Sequence, residues 1–222
     1  MTDGITRPPR GVSRFVKEPF PGLSHGVGAV LALAGLLCLV LTPRDGTAAV
    51  AGVAIYGVCL ILLFTASSLA HSVFADARTN DILDRCDHAA IFLLIAGTYT
   101  PICLTTLSGA WGGTMLAAQW AMALLGAVMV LKVGPRKHWV ALYLPMGWAV
   151  VTVIGPLWQR METPAMACLI AGGVVYTIGA VVFLTQRPRL WPGRFGSHDL
   201  WHVLVLLASG LHFATVWRIT AA

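Results

Sequence analysis

The chain contains seven apolar stretches, and each approaches the length that a helix needs to cross a bilayer. A transmembrane helix requires roughly 20 consecutive, mostly apolar residues, because each residue advances the helix by only ~1.5 Å. The predicted spans, with approximate bounds, are Leu23–Leu41, Thr47–Ala70, His88–Leu107, Thr114–Leu131, Trp139–Leu157, Ala165–Leu184 and Leu200–Ile219. Pro145 and Gly147 interrupt the fifth. The pattern predicts an all-α, polytopic membrane protein built as a seven-transmembrane helix bundle.

The composition argues against a soluble helical domain. Of the 222 residues, 57% are hydrophobic and 11% are charged, and the mean hydropathy is +0.78. A soluble domain of this size needs more charge to cover its surface. The five cysteines form no C-x-x-C pair, so we expect neither a disulfide framework nor a cysteine-based zinc site. We expect residues 1–22 to form a short basic cytoplasmic segment and residues 23–222 a single transmembrane domain.

The basic residues are distributed unequally between the two ends of the predicted spans. If the N-terminus lies in the cytoplasm, only three of the 15 lysines and arginines lie outside: Arg44, Arg160 and Arg218. This positive-inside bias predicts a cytoplasmic N-terminus and, with seven spans, an external C-terminus. Topology and anionic lipid thereby account for the net charge of +6, so we do not expect nucleic acid as a partner.

The same topology places ionisable residues from three spans at their cytoplasmic ends. His71 ends the second span, Asp87 precedes the third, and His198 and His202 flank the start of the seventh. Histidines four residues apart share one helix face, and a third histidine completes the three-ligand set of catalytic zinc sites, which keep one position open. Asp87 could accept a proton from a water that zinc has acidified, or hold that water in place. Ser67, one helical turn before His71, could hydrogen-bond a water or a substrate carbonyl.

Simpler interpretations exist for each of these residues. A membrane histidine can merely hydrogen-bond within the bundle, and Asp87 could pair with Arg85 or cap the third helix. His25 is either an outer partner of the metal site or a helix-start residue with Ser24 as N-cap. Ionisable residues at membrane depth are costly and usually have a role, so their shared position favours metal binding. Three further histidines are not expected to be ligands: His88, His138 and His212.

Four segments of the chain, taken together, resemble the haemolysin III family, which belongs with the progestin and adipoQ receptors. They are E-P-F-P-G-L-S-H-G-V-G from Glu18 to Gly28, S-S-L-A-H from Ser67 to His71, L-D-R-C-D-H-A-A-I-F-L-L-I-A-G-T-Y-T-P from Leu83 to Pro101, and H-D-L-W-H from His198 to His202. The resemblance covers nearly the whole chain. The compact size of the chain is similar to that of the family's bacterial branch. This resemblance implies a multi-pass protein of the bacterial inner membrane.

The resemblance implies particular roles for the clustered residues. In the receptor members, three histidines that match His71, His198 and His202 bind zinc. The aspartate matching Asp87 contacts the zinc-bound water, and the serine matching Ser67 lies close by. The related alkaline ceramidases share this arrangement and hydrolyse a lipid amide.

Three functions follow as expectations. The first is a zinc-dependent hydrolase of a lipid amide or ester, and the second is a receptor-like or membrane-homeostasis regulator with structural zinc. Pore-forming, haemolytic or transport activity is the weakest, because the paired broken helices of transporters are not visible and Pro145 has no counterpart. The expected partners are the lipid bilayer and a membrane lipid as substrate or ligand, and the sequence indicates no protein partner.

Overall fold

The structure, a computed structural model, describes residues 16–42, 46–107, 109–136, 140–188, 190–191 and 194–221. The helices in these residues are α1 (Pro19–Leu41), α2 (Gly46–Ser72), α3 (Ala77–Pro101), α4 (Ala110–Val133), α5 (Val140–Trp148), α6 (Ile154–Arg160), α7 (Thr163–Thr185) and α8 (Ser197–Thr220). A π-helical turn, Ile102–Thr106, extends α3, and a 3-10 segment, Ala149–Val153, joins α5 to α6. The predicted all-α class is confirmed.

Six helices of the described chain are long and apolar enough to cross a membrane: α1, α2, α3 with its π-helical turn, α4, α7 and α8. The predicted fifth span is broken into α5, the 3-10 segment and α6. Pro145 lies inside α5 and cannot donate a backbone hydrogen bond, which weakens the helix at that point. The protein is thus a polytopic membrane bundle, as predicted, and its orientation across the bilayer stays a prediction.

Sequential helices pack side by side. α1 lies against α2, α2 against α3, α3 against α4 and α7 against α8, and α8 returns to contact α1. Large apolar side chains such as Leu31, Leu41 and Leu125 cover the outside, where they would meet lipid. Tyr56 and Phe92 are among the largest side chains buried between the helices.

Several helix ends differ from the predicted spans. α1 begins at Pro19, and Ser24 lies within it, so the predicted N-cap at Ser24 is wrong. The Ser24 hydroxyl donates to the carbonyl of Pro21 at 3.1 Å instead. α3 begins at Ala77, about three turns before the predicted span, because Asp76 caps its polar first turn. Asp87 therefore lies within α3 and does not cap it.

Three sequence predictions fall on parts of the chain that the structure does not describe. They are the basic segment up to residue 15, the external position of Arg44 and the exclusion of His138 as a ligand. For the rest of the chain, the fold brings the C-terminal end of α2, the early turns of α3 and the N-terminal end of α8 to one end of the bundle.

Candidate metal centre

The predicted histidines converge at this end of the bundle. His71 lies in the last turn of α2, and His198 and His202 lie in the first two turns of α8. One ring nitrogen from each histidine falls within 4.8 Å of the others. The Nε2 atoms of His198 and His202 are 3.2 Å apart. Two helices, α2 and α8, thereby direct three nitrogen ligands at one point.

The spacing fits a metal ion. A tetrahedral zinc with Zn–N bonds of ~2.0–2.1 Å holds its ligand nitrogens ~3.3–3.4 Å apart, close to the separation observed for His198 and His202. Imidazole nitrogen also suits several divalent transition metals. The three histidines could therefore hold a metal ion, and three protein ligands leave a coordination position for another molecule.

Asp87 and Ser67 lie beside this cluster. The Oδ2 atom of Asp87 is 3.7 Å from Nε2 of His71. Arg85 does not pair with Asp87, because its Nε donates to Asp81 at 2.7 Å. Ser67 is buried on α2 and lines the same cavity as the histidines. The structure thus brings all five sequence-predicted residues together, and their roles stay predictions.

Glu18 also contacts the cluster, although its position in the sequence did not predict this. Its Oε2 atom accepts a hydrogen bond from Nδ1 of His71 at 2.6 Å and lies 3.7 Å from Nε2 of His198. The hydrogen bond with His71 is the main reason why the pKa of Glu18 is lowered from its usual value. One sequence feature could have identified Glu18: it is an isolated carboxylate between a basic segment and an apolar span.

His25 also contacts the cluster. It is buried, with its two ring nitrogens 3.1 Å and 3.2 Å from Nδ1 of His202. Its Nε2 is 3.3 Å from the carbonyl oxygen of His202. Of the two interpretations left open, the outer partner of the cluster is the one that the structure supports.

Two of the excluded histidines lie apart from the cluster, as expected. Nδ1 of His88 lies 2.9 Å from the carbonyl oxygen of Asp84 on the same helix. The ring of His212 packs against Gly172 and stacks edge-on with Tyr176. Neither belongs to the group of nitrogens that could share a metal ion.

The cluster forms the polar end of a large cavity. The cavity has a volume of about 1080 Å³ and reaches from the cluster to His212. Its lining includes apolar side chains of α2, α3, α5, α7 and α8, among them Leu63, Ile91, Leu94, Trp148, Ile170 and Val205. Ligand pockets in proteins are commonly ~300–1,000 Å³, so this space can hold a sizeable apolar molecule.

The chain matches the family described as Haemolysin-III related over residues 13–213. The chain belongs to the haemolysin III-related family. It is 36% identical to Hemolysin-3 of Bacillus cereus over 221 residues, which cover 97% of this chain and 96% of that protein. A Hemolysin-3 homolog of Bacillus subtilis is 34% identical over 87% of this chain and 90% of its own length.

A more distant relative is a plant protein, the heptahelical transmembrane protein ADIPOR2 of Oryza sativa. It is 30% identical over 188 residues, which cover 74% of this chain and 80% of that protein. The resemblance predicted from four motifs is confirmed. This haemolysin III-related chain is therefore a multi-pass integral membrane protein with a three-histidine cluster that could hold a metal ion.

Proposed function

We propose that this protein binds zinc through His71, His198 and His202 and hydrolyses an amide or ester bond of a membrane lipid. The observation that carries the proposal is the position of the cluster. Three converging imidazole nitrogens, a carboxylate and a hydroxyl lie together at the polar end of an apolar cavity. The inner membrane of a bacterium is the location that we propose for it.

The metal and its neighbours would divide the chemistry. When bound at such a site, zinc lowers the pKa of water toward about 7 and polarises a carbonyl oxygen. Asp87, beside the ligand His71, is placed to accept a proton from water and return it to the leaving amine or alcohol. The Ser67 hydroxyl would donate a hydrogen bond to the substrate carbonyl.

The cavity supports a substrate with an acyl chain. Each buried methylene contributes about 0.8 kcal/mol to binding, so an apolar wall selects a long hydrocarbon chain. The histidine cluster and Asp87 lie at one end of the cavity, where they would meet the carbonyl of that chain. Enclosure by α3, α7 and α8 would keep bulk water from the bond to be cleaved.

The first test compares zinc content and turnover in purified variants. We expect about one zinc per wild-type chain by elemental analysis and loss of that zinc in His198→Ala. Asp87→Asn should keep the zinc but lose ~10²–10⁴-fold in hydrolysis of short-chain ceramides or other acyl lipids, because it removes the general base. Asp81→Asn, on the same helix but outside the cavity lining, is the matched control and should keep both properties.

Two results would contradict the proposal. Turnover that survives both His202→Ala and Asp87→Asn would show that the cluster does not perform the hydrolysis. Purified wild-type protein that contains no zinc would show that the histidine cluster is not a zinc site.

A receptor-like or membrane-homeostasis regulator is the second candidate. It is favoured because the three ligands come from α2 and α8, so zinc would join helices that lie far apart in sequence. Here His71→Ala should lower the thermal unfolding midpoint strongly, while Asp87→Asn should leave lipid responses unchanged. Loss of metal with unchanged stability would count against this role.

A further inference from the structure

α1 supplies no nitrogen to the histidine cluster, yet its beginning contacts two of the three candidate ligands. Glu18 and His25 are seven residues apart, which is about two turns, so they lie on the same side of α1. Glu18 contacts His71 and His25 contacts His202. Both of these contacts use the Nδ1 atom of the ligand histidine, whereas Glu18 approaches the third histidine, His198, only to 3.7 Å at Nε2.

We propose that Glu18 and His25 are positioning residues, which orient His71 and His202 so that their Nε2 atoms face a shared zinc ion. This inference rests on the proposed zinc site and extends it to a helix that contributes no ligand. A ligand histidine commonly donates its second ring N–H to a carboxylate or another acceptor, which sets both tautomer and ring orientation.

The contacts of His71 have the required arrangement. Its Nδ1–H donates to Glu18 at 2.6 Å, which leaves the lone pair on Nε2. That Nε2 atom faces the opposite way, toward Asp87. A ring held at one nitrogen by a carboxylate can present only the other to a metal.

The contacts of His202 repeat the arrangement with a neutral partner. Nδ1 of His25 lies 3.2 Å from Nδ1 of His202, and Nε2 of His25 lies 3.3 Å from the His202 carbonyl oxygen. A neutral imidazole has one acceptor and one donor, so His25 can accept from the ring and donate to the carbonyl. This leaves Nε2 of His202 facing His198 at 3.2 Å.

Backbone contacts hold the beginning of α1 against the end of α2. The N–H of Glu18 donates to the carbonyl of His71 at 2.8 Å, and the N–H of Lys17 donates to that of Ser72 at 3.2 Å. Gly22 lies so close to α2 that an added Cβ would collide with the Ser72 hydroxyl. These contacts do not depend on the Glu18 side chain, so we expect α1 to stay packed against α2 when that side chain is shortened.

The test measures zinc affinity in the full-length protein. The dissociation constant for zinc is determined by competition with a chelator at fixed pH, for wild type, Glu18→Ala, Glu18→Gln and His25→Ala. Loss of an outer partner of a ligand typically weakens metal binding ~10–100-fold, and we expect each alanine variant to fall in that range. Glu18→Gln should recover part of the affinity, because its amide oxygen can still accept from His71.

Two controls separate positioning from folding. Glu162→Ala changes the same residue type at the start of α7. Glu162 lies outside the cavity lining, so this variant should bind zinc like wild type. The metal-free thermal midpoint of Glu18→Gln should stay close to wild type, and the absorption spectrum of bound cobalt(II) should change in Glu18→Ala and His25→Ala. A purely structural role would lower the midpoint without altering the spectrum.

The possible failures can be told apart. Zinc binding by the wild type that is equally tight in Glu18→Ala, Glu18→Gln and His25→Ala overturns the positioning role and leaves the zinc site standing. No zinc in the wild type overturns both. An affinity loss that also appears in Glu162→Ala would be a general effect of the substitutions and overturns the specific role of α1.

Discussion

The clustered histidines differ in what each of their ring nitrogens contacts. His71 lies between two carboxylates, with Nδ1 on Glu18 and Nε2 toward Asp87. His202 has His25 on one side and His198 on the other. Residue type and spacing predicted which histidines would meet. They did not predict Glu18 and left the role of His25 open, because the direction of a ring depends on side chains that approach from other helices.

The carboxylate of Asp76 should make the stability of the beginning of α3 depend on pH. Its carboxylate accepts from the N–H of Thr79 at 3.0 Å and of Arg78 at 2.9 Å, and from the Thr79 hydroxyl at 2.8 Å. These bonds, above all that from the Thr79 backbone, lower the pKa of Asp76 below its ordinary value of 3.8. Because the folded-state pKa is the lower one, the cap stabilises α3 fully above that ordinary value. The stabilisation is lost as the pH falls through the folded-state pKa.

The measurement is a carboxyl-carbon NMR titration of the protein in detergent micelles. We expect the midpoint of Asp76 below 3.8 in the folded protein. Thr79→Val keeps the backbone donor and removes only the hydroxyl, so it should raise the pKa in part. A midpoint at or above the ordinary value would show that the capping bonds do not form.

At the scale of elements, the broken fifth span shows what the sequence could predict. Pro145 and Gly147 indicated an interruption of this span, because neither residue favours a regular helix. Both lie inside α5, and the break follows them at Ala149–Val153. A residue of α3 supplies the missing hydrogen bonds at the break. The hydroxyl of Tyr99 donates to the carbonyl of Gly147 at 2.7 Å and accepts from the N–H of Val150 at 2.8 Å, which satisfies backbone groups where the helix is broken. No pattern within residues 140–160 could identify that partner.

Removing this hydroxyl should destabilise the protein. Tyr99→Phe leaves a buried donor and acceptor unpaired, so we expect a loss of about 1–3 kcal/mol and a lower thermal unfolding midpoint. Tyr56→Phe is the matched control, because the buried Tyr56 hydroxyl has no hydrogen-bond partner among the described residues. The control should be neutral or stabilising, and equal losses in both variants would contradict this account of the broken span.

The contact between α3 and α4 can be tested through two glycines of α4. A Cβ added at Gly126 would collide with the ring of Phe92, which is buried, whereas a Cβ added at Gly113 would meet nothing within 4 Å. Overpacking costs about 1–3 kcal/mol, so Gly126→Ala should lower the thermal midpoint. Gly113→Ala should leave the midpoint unchanged or raise it, since alanine favours the helix. Similar losses in both would mean that the two helices are not in close contact at Gly126.

At the scale of the whole molecule, the bundle brings the beginning of α1, the end of α2, the early part of α3 and the beginning of α8 to one end. The cavity extends from that end toward His212, in the middle of α8. The bias of basic residues predicts that this end faces the cytoplasm. A hydrolase so arranged would receive its lipid from the cytoplasmic leaflet.

Reporter fusions test the orientation. Green fluorescent protein fused before Met1 or after Gln186 should fluoresce, because both positions are predicted to be cytoplasmic. Alkaline phosphatase fused after Ala222 should be active in the periplasm of a Gram-negative host, and fluorescent protein fused there should be dark. Fluorescence from the fusion after Ala222 would reverse the predicted orientation.

The sequence by itself determined the helical class, the six long apolar helices of the described chain and the meeting of five residues at one end: Ser67, His71, Asp87, His198 and His202. These properties depend on apolar length, the placement of basic residues and helical spacing, all of which are local. Only the tertiary structure decided that Glu18 and His25 contact the ligands, that Tyr99 spans the broken helix and that the cluster is the polar end of a cavity. Those features depend on how closely helices approach and where their side chains point, and packing between segments distant in sequence sets both.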